Sequence, residues 1–109
     1  MSLDKLALLE IFKPKIIDSV VPGVGPVRLR ELSAPEVSDI REVCKAGKNE
    51  AEFGFRLVIA ALVDDEDKPV FTADDLDTMR AASQRSIGAL VVKVMEINGF
   101  TLKGDAEKN

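Results

Sequence analysis

The stretch that decides the fold is F-G-F-R-L-V-I-A-A-L-V (53–63), followed by D-D-E-D-K-P-V (64–70) and F-T-A-D-D-L-D-T-M (71–79). The first segment is apolar on nearly every side of a helix, which is typical of an element that lies centrally or between copies of a chain. The acidic run and Pro69 then predict a solvated turn. Thr72 predicts the start of another helix, because a threonine oxygen can accept a bond from a free first-turn amide.

The composition describes one small domain over 1–109. A chain of 109 residues can bury a single core, and with five Phe and no Trp or Tyr that core must consist mostly of Leu, Ile, Val and Ala. The net charge of −4 argues against nucleic acid as a partner, because phosphate binding needs a concentrated positive surface. The single cysteine, Cys44, fits a reducing compartment and a place in the core.

An apolar N-terminal helix is predicted over 1–14, with Ser2 as its cap and Pro14 at its end. Its large apolar side chains surround most of the helix: Leu3, Leu6, Leu8, Leu9, Ile11 and Phe12. Such a helix either packs into its own domain, which is the commoner outcome, or docks on another chain. Because this segment lacks a basic start and a cleavage site, and no apolar run is of spanning length, we expect a cytoplasmic protein without a membrane partner.

A β-hairpin is predicted over 15–32. The β-branched runs Ile16–Val21 and Val27–Leu32 flank Pro-Gly-Val-Gly-Pro, where the glycines can supply positive φ and the prolines limit further pairing. A two-stranded ribbon is marginal alone, so we expect it to lean on helices.

The segment 33–100 is predicted to be a helical core. Ser33 and Glu36 form a capping box and Gly47 ends that helix. Three further helices are predicted to begin at caps: one over about 50–63 after Asn49, one directly after Thr72, and one over about 84–98 after Ser83. The segment 101–109 is predicted to be a flexible tail. The fold class is therefore mainly α: a small domain of about five helices with one β-hairpin near the N-terminus, an all-α character apart from that hairpin.

The residues offer no catalytic or metal site. The chain has no His, so Cys44 has no imidazole partner, and Ser19 lacks the helix start of a carrier-protein attachment serine. Asp64, Glu66 and Asp67 lack the glycine and the distant glutamate of a calcium loop. We therefore expect no enzyme, no cofactor and no bound metal.

Charge is distributed unevenly along the chain. Seven acids and one lysine lie between Asp64 and Asp77, while Arg28 and Arg30 make the hairpin mildly basic. This layout can steer a basic partner or bring copies together head to tail, or it can simply keep the acidic edge in water. Composition leaves these alternatives open.

The order of motifs from Val27 to Phe100 resembles the tail assembly chaperones of long-tailed, siphovirus-type phages. The matching segments are V-R-L-R-E-L-S-A-P-E, L-V-I-A-A-L-V-D-D-E-D-K-P-V-F-T-A-D-D-L-D-T-M and L-V-V-K-V-M-E-I-N-G-F. The glycine usual before the lysine of the family's acidic turn is absent. The resemblance covers about two-thirds of the chain. Its motifs are turns and helix caps, so it carries no active site.

The resemblance implies a function in the host cytoplasm. Such proteins bind the apolar, helical tape measure protein and keep it soluble while the tail tube assembles, and they are absent from the mature virion. A longer form made by programmed frameshifting recruits the major tail protein. The alternative is a structural virion component such as a head–tail connector subunit.

We expect contacts with the partner, or with another copy in a homo-oligomer, through apolar and charged side chains. The predicted interface residues are Leu6, Leu9 and Phe12, with Asp64, Asp65, Glu66 and Asp67 steering, and Arg28 and Arg30 as their counterpart on a neighbouring copy.

Overall fold

The computed structural model describes residues 4–47 and 52–100. Within them the chain forms five α-helices and three strands: α1 Lys5–Phe12, β1 Ile16–Val21, β2 Gly25–Arg30, α2 Ala34–Ala46, α3 Glu52–Ala61, β3 Leu62–Val63, α4 Leu76–Arg80 and α5 Gln84–Ile97. A 3-10 turn, Ala73–Asp75, precedes α4. The predicted helices and hairpin are present, but the fold is mixed helix and strand rather than all-α.

The strands form one antiparallel sheet in the order β1-β2-β3. The hairpin turns at Gly23 and Gly25, whose φ angles of 83° and 111° suit glycine, as predicted. The second strand starts earlier than expected: Gly25 and Pro26 pair with Val21 and Val20. Pro26 therefore does not block pairing at this end of the ribbon.

The third strand corrects the predicted end of the central helix. Helix α3 stops at Ala61, and Leu62 and Val63 pair with Leu29 and Arg28 of the hairpin. The prediction of a helix continuing to about Val63, within the helical core 33–100, is wrong because backbone pairing with β2 takes over at Leu62. Both strand residues are buried, so the apolar run is continuous although its backbone changes.

The core lies between the inner face of the sheet and α3, α4 and α5. Helix α3 packs against α5 and α2, and α5 also contacts β1. The buried cluster comprises Val21, Leu29, Leu57, Val58, Ala61, Leu62, Met79, Ile87, Leu90 and Val94. Cys44 is also buried, as predicted.

Helix ends follow the predicted caps where the structure describes them. Ser33 and Glu36 form the capping box, Gly47 is the C-cap of α2, and Thr72 and Ser83 each accept a backbone amide. Asp4, rather than Ser2, caps α1 by accepting from the Ala7 amide. Ser2, Leu3, Asn49 and the tail 101–109 lie outside the described residues.

One tertiary hydrogen bond locates the end of α5. The Asn98 side chain accepts a bond from the Leu32 amide at 2.7 Å and donates to the Val94 carbonyl at 2.9 Å. Because Leu32 precedes the cap of α2, this one side chain fixes the hairpin exit against the last helix.

Candidate functional site

Helix α1 is the main apolar surface of the described chain. Leu6 is 78% exposed, Phe12 68%, Ile11 59% and Leu9 48%, and no residue of the helix is buried. The prediction that α1 packs into its own domain, the commoner of the two outcomes, is therefore wrong for this structure. The other alternative is that α1 docks on another chain, and the exposed helix leaves this alternative open.

The exposed helix is nevertheless held in place at its C-terminal end. The Lys15 ammonium donates to the carbonyls of Ile11 and Lys13, both at 3.2 Å, which favours a cation at this end of the helix dipole. The Lys15 backbone amide donates to the Glu31 carboxylate at 2.9 Å, and the Glu31 amide returns a bond to the Lys15 carbonyl at 2.8 Å. The helix is thus anchored to the hairpin while its apolar side chains face water.

Exposed apolar side chains clustered on one helix are candidates for contact with another polypeptide. Covering a Leu or Phe side chain fully contributes about 1.5–3 kcal/mol. Leu6, Leu9 and Phe12, the predicted contact residues, all lie on this surface and are free to be covered by another polypeptide.

The predicted acidic residues form an ordered turn. The Asp64 carboxylate accepts the amides of Glu66 at 2.8 Å and Lys68 at 3.0 Å. These bonds, led by the one from the Lys68 amide, lower the pKa of the Asp64 carboxyl from its ordinary value. Asp67 closes the turn with φ at 65°, a left-handed conformation that aspartate tolerates better than most residues.

The structure brings Arg28 to this turn within the same chain. Its guanidinium donates to Asp18 across the hairpin at 3.1 Å and also to Asp67. The bond to Asp67 is the main cause that raises the pKa of Arg28. The two groups predicted to meet between copies, an acid of the turn and an arginine of the hairpin, therefore meet here intramolecularly.

Arg30 has partners in its own chain as well. It donates to the Ala60 carbonyl at 2.9 Å, at the end of α3, and to both carboxylate oxygens of Glu36. Arg30 is the largest cause that lowers the pKa of Glu36. The side chain thereby joins the hairpin, α3 and the capping box of α2.

A buried carboxylate adds a cluster that sequence reasoning found only in part. Glu52 is 7% exposed and pairs with Arg56 at 3.4 Å, as their spacing of four predicts. It also pairs with Arg80 of α4, which itself contacts Asp77. No local spacing signals a contact over such a separation, so sequence alone could not have found Arg80.

A groove lies between the outer face of the sheet and the acidic turn, with a volume of about 600 Å³. Its apolar walls include Val20, Pro26, Val63 and Val70, and its charged lining consists of Asp18, Arg28 and Asp65. Val20 is 74% exposed and Val70 47%. The groove was not predicted, because it exists only once β3 places the turn beside the hairpin.

Within 4–47 and 52–100, no group of three or more potential ligands is placed to hold a metal ion. Over the same residues, no helix has both the length and the apolar character needed to cross a bilayer. The geometry thus offers surfaces and ion pairs as its functional features. Comparison with protein-family models, curated proteins and solved structures gives no match.

Proposed function

We propose that this chain is a tail assembly chaperone of a long-tailed phage, which binds the tape measure protein and keeps it soluble during tail tube assembly. The observation that carries the proposal is α1, because its Leu6, Leu9 and Phe12 side chains are exposed on a structured helix. A protein that protects an apolar helical client needs such a surface. The sequence resemblance supplies the client's identity.

The proposal includes a cellular setting. The chaperone acts in the host cytoplasm, leaves before the virion is complete, and reaches the major tail protein through a frameshifted longer form. Copies of the chain also associate with one another, and a contact between copies that covers α1 would compete with the client for this helix. The chain acts by covering surfaces rather than by catalysis and uses no cofactor.

Co-expression with the tape measure protein of the same phage tests the proposal. We expect the soluble fraction of the tape measure protein to rise with this chain, and to fall back with the variant Leu6→Gln/Phe12→Gln. Val43 on α2 and Val92 on α5 are 48% and 44% exposed, so Val43→Gln/Val92→Gln removes two exposed apolar side chains elsewhere and serves as the control. An unchanged soluble fraction with and without this chain contradicts the proposal.

Purified virions provide the second measurement. Mass spectrometry of intact particles should find the tape measure protein without this chain. A stoichiometric amount of the chain in the particles favours the head–tail connector subunit instead.

A further inference from the structure

Two surfaces of this chain are complementary to each other. Helix α1 is apolar, with Lys5 in its first turn and Lys13 at its C-cap both exposed, and the groove beside the acidic turn is apolar with carboxylates at its rim. Complementarity between two different patches of one molecule is the requirement for a head-to-tail interface.

The exposed face of α1 combines both kinds of contact. At about 100° per residue, Leu6, Leu9 and Phe12 fall within an arc of about 120°. Lys5 and Lys13 fall within the same arc, so a partner that covers the apolar side chains also meets two ammonium groups. The Lys13 ammonium pairs with Glu10 at 3.2 Å, and both side chains are about 70% exposed, so this surface pair is weak.

The groove offers the matching features. Val20 and Val70 expose apolar surface, and Val63 lies beneath them in the sheet. The charged side chains that line the groove are Asp18, Asp65 and Arg28, and Asp65 belongs to the acidic run 64–67. Arg28 pairs with both Asp18 and Asp67, so one guanidinium faces two carboxylates and the rim keeps a net negative charge towards an incoming chain.

The α1 helix of the same copy does not occupy this groove. Its Ile11 and Phe12 border a different cavity, formed with Leu32 and Ile97. The paired bonds between Lys15 and Glu31 tether the helix to the Ile16 end of β1. The apolar groove residue Val20 lies towards the hairpin turn, about four strand residues, or about 13 Å, further along.

We propose that α1 of one copy docks into the acid-rimmed groove of the next copy. Leu6, Leu9 and Phe12 cover Val20 and Val70, while Lys5 and Lys13 approach Asp18 and Asp65. The contact joins two different patches, so a pair of copies keeps a free helix at one end and a free groove at the other. The assembly grows by addition and forms a ring where the rotation closes. This inference concerns only copies of this chain and does not depend on the identity of any client.

The first test measures self-association of the purified full-length chain by sedimentation velocity over a range of concentrations. We expect Leu6→Gln/Phe12→Gln and Val20→Lys each to weaken association by about a hundred-fold. Val43→Lys makes the same change at a half-exposed valine on α2, outside the groove, and should leave association unchanged. Far-ultraviolet circular dichroism confirms that each variant remains folded.

Mixing the two defective variants gives the sharper test. The helix variant retains an intact groove and the groove variant retains an intact helix. A head-to-tail contact therefore restores a single interface on mixing and produces a 1:1 heterodimer that grows no further. Raising the salt concentration should weaken both this heterodimer and the parent assembly, because the contacting charges are exposed.

Three results would overturn the proposal. A parent chain that stays monomeric at all concentrations has no such contact. Association that survives Val20→Lys does not use the groove. Variants that fail to pair on mixing point to a symmetric contact between two α1 helices.

Discussion

Replacement of the buried carboxylate in Glu52→Gln should destabilise the domain more than any other single charge removal that we consider. Glu52 is 7% exposed and pairs with Arg56 and Arg80, so glutamine keeps the shape but leaves Arg56 without its counter-charge and Arg80 with only Asp77. Breaking a fully buried pair costs about 3–5 kcal/mol. The side chains of Arg56 and Arg80 are 25% and 44% exposed, so water relieves part of this cost. We therefore expect a loss of about 2–3 kcal/mol.

Chemical denaturation followed by circular dichroism measures this loss directly, and thermal unfolding should show a fall in Tm of roughly 8–15 °C. Glu96→Gln is the matched control, because Glu96 pairs with Lys93 at 3.4 Å with its side chain 54% exposed. Such a surface pair contributes at most about 1 kcal/mol.

The double variant Glu52→Gln/Arg80→Gln identifies the partner. If the two side chains interact, the summed losses of the single variants should exceed that of the double variant by about 0.5–3 kcal/mol. Equal losses for Glu52→Gln and Glu96→Gln would refute the reasoning, because they would mean that the Glu52 carboxylate is hydrated in the folded state.

Three further predictions concern helix packing and capping. An alanine Cβ at position 54 would lie 2.8 Å from Val91 Cγ1, which is a steric clash. Gly54→Ala should therefore lower the free energy of unfolding by about 1 kcal/mol, even after the gain in helix propensity. In a Val91→Ala background the clash is removed, and the same substitution should stabilise the chain. Ser33→Ala should cost about 1 kcal/mol in denaturant unfolding because the capping box is lost, whereas Ser33→Gly should cost only about a few tenths of that. The hydrogen bond from Arg30 lowers the pKa of Glu36 in the folded state from its ordinary value of 4.5. The ionised Glu36 therefore stabilises the fold above that pH, and this stabilisation is lost as the pH falls below it. In a plot of unfolding free energy against pH, Glu36→Gln should flatten this acidic part of the curve.

Local signals predicted the helix ends well. The bonds made by Ser33, Thr72 and Ser83 connect residues two or three positions apart, so the side chain and the amide that it serves are visible together in the sequence. The positive φ angles of Gly23 and Gly25 follow from the same short range.

Long-range pairing explains what the sequence did not reveal. The run Ala60 to Val63 is apolar throughout, so its periodicity cannot distinguish the last turn of a helix from a buried strand. Its conversion to β3 depends on Leu29 and Arg28, more than thirty residues earlier. The groove and the contact between Arg28 and Asp67 are consequences of this pairing, so they could not be predicted from the sequence either.

The same pairing changes how the charges of this chain can act between molecules. With Arg28 bound to Asp18 and Asp67, and Arg30 bound to Glu36, the hairpin arginines are already matched by carboxylates of their own chain. Recruiting them to another copy would first require these partly buried pairs to be broken, whereas Lys5 of α1 and Lys13 at its C-cap are exposed. A head-to-tail contact therefore uses the lysines of α1 at lower cost. This places the basic half of the interface on the helix whose apolar side chains also need to be covered.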